Sequence, residues 1–226
     1  MIEDLAEEKP RPGRRWRFAE RRLYLCTPDR PDLAAFVEAC IDGGVDVVQL
    51  REKGLEARPL LARARLVAEV CAARGVPFIV NDRPDLALAA GADGVHVGQD
   101  DVPPSVARRI LGDEAVVGLS THAPAQLEAA GGEPVDYVSA GPVVRTATHP
   151  DRSPTGLGYL RLAVARARVP VFVTGGVTPE AIPHLWAAGA RHFVVVRHLT
   201  GARDPRAAAA ALRSAIARAC RLGAEP

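Results

Sequence analysis

The feature that most constrains this chain is an alternation repeated eight times. A short β-branched run is followed each time by a stretch of helical period. The runs are "RLYLC" (22–26), "VDVVQL" (45–50), "PFIVN" (77–81), "DGVHV" (93–97), "AVVGLS" (115–120), "VDYVSA" (135–140), "PVFVT" (170–174) and "HFVVV" (192–196). The helix-like stretches cover 31–42, 56–74, 84–90, 103–111, 123–131, 157–168, 178–188 and 205–221. Prolines and short polar residues open these stretches, as at Pro31, Pro103, Pro104 and Thr178 with Pro179. Glycines close them, as at Gly43, Gly75, Gly91, Gly112 and Gly189. The runs are apolar on both faces, as parallel strands covered by helices should be. Eight such units give a closed parallel barrel or a doubly wound open sheet. Their regularity, with no large excursion, favours an α/β fold made of one (β/α)8 TIM barrel, and 226 residues suit it.

Composition narrows the function classes. With 29 Lys and Arg against 27 Asp and Glu the net charge is +2, so nothing calls for nucleic acid or an anionic membrane. No apolar run reaches the length of a bilayer span. The N-terminal "MIEDLAEEKPRPGRRWRFAERR" turns from acidic to Arg-rich and lacks the apolar centre of a signal peptide. It reads as a charged tail over residues 1–20, before a barrel domain at 21–221 and a short tail at 222–226. Cys26, Cys40, Cys71 and Cys220 form no Cys-x-x-Cys pair, against a zinc ribbon or a disulfide scaffold. A reduced cytoplasmic protein is expected. Oligomeric state is not readable, and a homo-oligomer is compatible with the sequence.

The polar residues collect just after the strands. Gln49, Arg51 and Lys53 follow the second run, and Asn81, Asp82 and Arg83 the third. Gln99, Asp100 and Asp101 follow the fourth, Ser120, Thr121 and His122 the fifth, and Arg197 the eighth. In a barrel all of these ends meet at one mouth, where such folds do chemistry. Asp82 and Asp101 follow neighbouring strands. Two carboxylates brought together call for a cation, and hard oxygen ligands suit Mg2+. Capping the next helix explains Asp100 and Asp101 equally well, so both readings stay open. Arg51 and Lys53 alternate along an extended segment and share a side. Beside a metal they could hold a diphosphate; on a surface they would pair with Glu52 or Glu56. Gly175 and Gly176, with Arg197 across from them, mark the usual phosphate seat of this fold, or only a tight turn. His96 reads as a barrel-interior residue with a satisfied ring, and His122 as a residue near the mouth.

One passage has no period at all: "GPVVRTATHPDRSPTGLG", 141–158, after the sixth run. A long irregular loop in a compact domain is usually functional or disordered. Its place among the strand ends argues for function.

Taken in order, "QLREK", "NDRPDLA", "DGVHVGQDDVP", "GLSTH", "DYVSAGPV" with "TAT", and "TGGVTPEAI" with "VVVR" resemble the thiamine-phosphate synthase family along the barrel from about 22 to 215. The resemblance implies a (β/α)8 transferase. It joins 4-amino-2-methyl-5-(diphosphooxymethyl)pyrimidine to a thiazole phosphate through a pyrimidine carbocation, releasing pyrophosphate with Mg2+. It implies that Gln49, Leu50, Arg51, Glu52, Lys53, Asn81 and Ser120 line the pyrimidine diphosphate site. It implies that Asp82 and Asp101 bind the metal. Thr146, Ala147 and Thr148 would contact the thiazole phosphate, with Gly176, Val196 and Arg197. Arg51, Lys53, Ser120 and His149 would carry the chemistry. Two positions depart from the family. His149 stands where a lysine commonly follows the "T-x-T", and Arg197 where a serine is common. His149 would keep the lysine's role near the diphosphate with less charge. The alternatives are a thiazole phosphate tautomerase-like barrel, which would not need the diphosphate and metal residues, and an inactive thiamine-phosphate binding protein with His149 as its lesion.

Overall fold

The structure, a computed structural model, describes residues 16–145 and 153–222. Its eight strands are β1 (Leu23–Thr27), β2 (Val47–Leu50), β3 (Phe78–Asn81), β4 (Gly94–Val97), β5 (Val116–Thr121), β6 (Tyr137–Ala140), β7 (Val171–Val173) and β8 (His192–Val195). They pair in parallel, in sequence order, and β8 returns to β1, closing the expected (β/α)8 barrel. The helices between them are α1 (Leu33–Asp42), α2 (Ala57–Arg74), α3 (Pro84–Ala89), α4 (Pro104–Leu111), α5 (Pro124–Ala130), α6 (Gly156–Arg166) and α7 (Ile182–Ala187). After β8 come a one-turn helix, α8 (Arg197–Thr200), and α9 (Pro205–Leu222).

Two elements differ from the sequence reading. The helix expected from 178 begins at Ile182, because Pro183 lacks an N–H and fits only a first turn. Residues 178–181 form a turn instead, where the Ala181 N–H donates to Thr178 Oγ1 at 3.3 Å. The α8 turn is also additional to the eight expected helices. It sits where this fold often places a short extra helix.

The apolar residues divide into two shells. The larger lies between strands and helices, with Leu23, Leu25, Val48, Leu50, Val80 and Val95 facing α1 to α9. The smaller fills the lower barrel: Phe18, Tyr24, Val47, Ile79, Val116, Tyr137 and Phe172. Alternation along each strand sends one residue to each shell. Gly118 makes room for this filling, since a Cβ there would lie 2.2 Å from the Tyr137 ring.

The floor takes in residues that the charge pattern assigns to the tail. A 3-10 turn at Phe18–Glu20 puts Phe18 under the barrel, stacked on Tyr137 at 4.9 Å between centroids and only 3% exposed. The Trp16 indole N–H donates to Asp93 Oδ1 at 2.9 Å. Packed structure therefore begins by Trp16, because an aromatic pair at the open end has apolar rings to cover.

Three aspartates organise the same end. Asp46, Asp93 and Asp136 each stand just before an even-numbered strand. Each accepts from the backbone of the odd strand before it. Asp46 takes the N–H groups of Arg22 and Leu23, Asp93 that of Phe78, and Asp136 that of Val117. Arg213 and Arg108 pair with the first and last.

Candidate active site

At the opposite end lies a cavity of about 490 Å³. The strand-end residues converge on it. Gln49, Arg51, Lys53, Asn81, Asp82, Asp101, Ser120, Gly176, Val196 and Arg197 all line it. Leu50 and Glu52 do not. Leu50 is 1% exposed in the outer shell, one step out of phase with Gln49. The Glu52 carboxylate accepts from the N–H groups of Gly54 and Asp29 at 2.7 and 3.3 Å, which shapes the loop after β2. Thr146, Ala147, Thr148 and His149 lie outside the described residues.

The two aspartates come within hydrogen-bonding reach of each other. Burial and then Asp82 push the Asp101 carboxyl up from its ordinary range, against the pull of the Gly98 N–H and Lys53. Lys53 Nζ lies 2.7 Å from Asp82 Oδ2 and makes no ion pair with Glu52 or Glu56. The capping reading of Asp101 fails on geometry. The α4 N-cap is Pro103, with no side-chain cap bond, and Asp101 Oδ2 instead accepts from the Gly98 N–H at 2.7 Å. Asp82 holds φ +62°, a left-handed conformation uncommon for a residue with a Cβ. That costs about 1 kcal/mol or more, and such positions cluster at functional sites. The Asp82 N–H donates to the His96 carbonyl at 2.8 Å, which ties the strained residue to β4.

These two carboxylates suit a hard cation, which would relieve their repulsion. Among the described residues no group of three or more His, Cys, Asp or Glu gathers as a metal cage. Mg2+ does not need one, since it commonly takes one or two carboxylates and fills its shell with water and phosphate oxygens.

Across the mouth, Gly175 and Gly176 have φ of +92° and +73°. A Cβ on Gly176 would meet Val144 Cγ2 at 2.2 Å. The glycines are thus needed for turn geometry and for packing the loop after β6, and they also bare backbone to the cavity. Arg197, at the start of α8, and His198 complete that side. Both described ends of the 141–158 loop are tied down. The Val143 N–H donates to the Thr174 carbonyl at 2.9 Å, and the Thr155 N–H to the Pro142 carbonyl at 2.8 Å. His122 Nδ1–H donates to the Gly141 carbonyl at 2.5 Å.

The cavity floor holds groups that the sequence reading passed over: Tyr24, Cys26, Tyr137 and Ser139. They form a buried polar chain with Gln49, His96 and Ser120. Cys26 Sγ–H donates to Gln49 Oε1 at 2.9 Å, and Gln49 Nε2–H to Tyr24 Oη at 3.1 Å. Tyr24 and Tyr137 hydroxyls are 2.9 Å apart. His96 bridges Tyr137 Oη at 3.0 Å and Ser120 Oγ at 2.8 Å, a satisfied interior ring as expected. Burial, then the Arg51 charge, lower the His96 pKa to about 4, so the ring is neutral near pH 7. Burial pushes the Cys26 thiol up to about 12. The inward period of two could have marked Tyr24 and Tyr137, each two residues before an inward polar residue. An aromatic in a short buried strand reads first as core.

The family profile described as thiamine monophosphate synthase matches residues 23–199. A thiamine-phosphate synthase of Mycobacterium sp. (strain JLS) is 48% identical over 212 residues, 88% of this chain and 94% of the relative. One of Saccharopolyspora erythraea is 49% identical over 215 residues, 90% and 96% of the two chains. The solved structure of a thiamine phosphate pyrophosphorylase from Pyrococcus furiosus superposes with a TM-score of 0.80 at 29% identity, over 88% of this chain and 96% of that one.

Proposed function

We propose that this chain, which belongs to the thiamine monophosphate synthase family, joins 4-amino-2-methyl-5-(diphosphooxymethyl)pyrimidine to a thiazole phosphate, giving thiamine phosphate and pyrophosphate. The observation that carries this reading is the division of the cavity. Paired carboxylates and two cations stand on one side, and a glycine turn with Arg197 on the other. Two anionic groups fit across one mouth.

In this reading Asn81, Gln49 and Ser120 seat the pyrimidine on the floor, and Arg51 and Lys53 hold the diphosphate. Asp82 and Asp101 would hold Mg2+, which supplies positive charge to the departing diphosphate. The carbon–oxygen bond to the diphosphate breaks with its electron pair on oxygen. The ring's amino group delocalises the cation left behind, and the thiazole nitrogen lone pair forms the new carbon–nitrogen bond. No proton needs a protein base in that step. Arg51 and Lys53 stabilise the growing negative charge on the departing diphosphate. Alignment of the two rings supplies much of the rest. We assign the thiazole phosphate to Gly176, Val196 and Arg197, and to Thr146, Ala147 and Thr148. His149 serves near the diphosphate in the lysine's place. The four free cysteines suit the reducing cytoplasm, and no helix of the described residues is long and apolar enough to cross a membrane. The tautomerase alternative is not favoured, since the carboxylates and cations it has no use for all line the cavity.

The test is release of pyrophosphate from the two substrates, with and without EDTA. Metal-dependent release is expected, and binding without release would sink the reading. For His149 the pH profile of turnover is compared with that of His149→Lys. The lysine variant should gain toward alkaline pH, where imidazole loses its charge. Equal profiles from about pH 6 to 9 would remove His149 from that role.

A further inference from the structure

We propose that a one-way hydrogen-bond chain beneath the cavity, from Gln49 through Tyr24, Tyr137 and His96, fixes the Ser120 hydroxyl as a donor into the cavity. It thereby selects a substrate ring that offers an acceptor nitrogen there.

The direction follows from counting protons. A thiol that keeps its proton is a donor, so Cys26 turns the Gln49 carbonyl toward itself at 2.9 Å and leaves the amide N–H facing Tyr24. An amide N–H only donates, so Tyr24 Oη accepts there and must place its own proton elsewhere. The Tyr137 oxygen, 2.9 Å away, takes it. Tyr137 in turn has the His96 ring nitrogen Nδ1 at 3.0 Å, and it donates to that nitrogen. A neutral imidazole with Nδ1 accepting carries its proton on Nε2. Nε2–H therefore donates to Ser120 Oγ at 2.8 Å. Ser139 Oγ approaches the same oxygen at 3.5 Å as a second donor. Ser120 Oγ is thus occupied as an acceptor, and its remaining proton faces the cavity it lines.

The reverse direction is costly. It needs Tyr24 to donate toward an amide N–H, or Gln49 to flip and leave Cys26 facing an NH2 group. Tyr24 is 1% exposed, and its hydroxyl has Gln49 and Tyr137 as its partners. A mispaired polar group at that depth costs more than the bond it replaces. Tyr24, Tyr137 and His96 are positioning residues, acting through Ser120 without touching the reacting atoms.

The kind of ring selected rests on the function proposed above. The direction of the chain does not, so the two can fail separately. The direction is read in substrate-free protein by nitrogen-15 NMR of the imidazole rings, with His96 assigned by its loss in His96→Gln. The Nε2–H tautomer is expected near neutral pH. The Nδ1–H tautomer, or a doubly protonated ring, overturns the proposal. Tyr137→Phe keeps the ring and removes the donor to Nδ1. A mixture of tautomers should follow, with about ten-fold lower kcat/KM. An unchanged tautomer in that variant also overturns the proposal.

Selection is read with two pyrimidine analogues, each with one ring nitrogen replaced by C–H. One of them should bind wild type about ten-fold more weakly than the parent compound and lose that penalty in Ser120→Ala. A penalty that persists in Ser120→Ala, or none for either analogue, refutes the selection and leaves the NMR result to decide the direction.

Discussion

Asp82 and Asp101 repel each other in the metal-free protein; Asp101 is held by the Gly98 N–H of its own loop, and Asp82 by its N–H bond to the His96 carbonyl on β4. Asp101→Asn keeps an acceptor for the Gly98 N–H and removes the repulsion. Its thermal stability without metal should therefore equal or exceed that of wild type, while pyrophosphate release falls by at least about a hundred-fold. Matching losses of stability and activity would return Asp101 to a structural role. Spacing alone left these two aspartates open between metal and cap. For Asp101 the cap reading is removed by Pro103, which occupies the α4 cap position, and that is a fact of backbone geometry. His96 makes a second prediction. Its pKa is 6.5 unperturbed and about 4 when folded. Between those values the unfolded chain binds more protons, so stability falls as pH drops from 6.5 toward 4, by ~3 kcal/mol in full. Urea titrations of wild type minus those of His96→Gln should show that slope, and a difference constant with pH would refute it. Tyr24 and Tyr137 were legible only through their phase with Cys26 and Ser139, a faint signal. Every position in β1 and β6 is buried, so hydrophobicity does not tell the inward phase from the outward one.

At the scale of elements, "GGVDVVQL" and "GADGVHVG" share a pattern visible in the sequence, a helix-ending glycine, a short turn and a strand, while the use of the aspartate in it is not. Asp46, Asp93 and Asp136 bond across to the strand before them, a register that exists only once the barrel has formed. Asp93→Ala would strand the Phe78 N–H and the Trp16 indole N–H together. It should cost about 1–3 kcal/mol of stability and leave kcat unchanged, because the loss lies at the face remote from the cavity. Denaturation midpoints beside steady-state kinetics check both halves, and a fall in kcat at intact stability would break the separation of faces. The late start of α7 was legible in principle. Pro183 announces a first turn, but Thr178 with Pro179 offers an equally good opening four residues earlier, and nothing local ranks the two.

For the whole molecule, eight units left a closed barrel or a doubly wound sheet, and their regularity favoured the barrel, which buries two-faced strands without edges. The floor was less legible. Phe18 sits among arginines, and a charged stretch hides a single buried ring. Phe18→Ala removes the ring stacked on Tyr137 and should cost about 3–5 kcal/mol by thermal or urea unfolding. A loss under about 1 kcal/mol would mean the floor closes without it. That floor also sets a rule of traffic. Among the described residues, Phe18, Tyr137 and Phe172 pack beneath the cavity and close the barrel below it. A ligand at the rim by Lys53 and Arg197 is therefore expected to slow both the entry and the exit of a group seated on Ser120, so depth alone would order the visitors with no moving part.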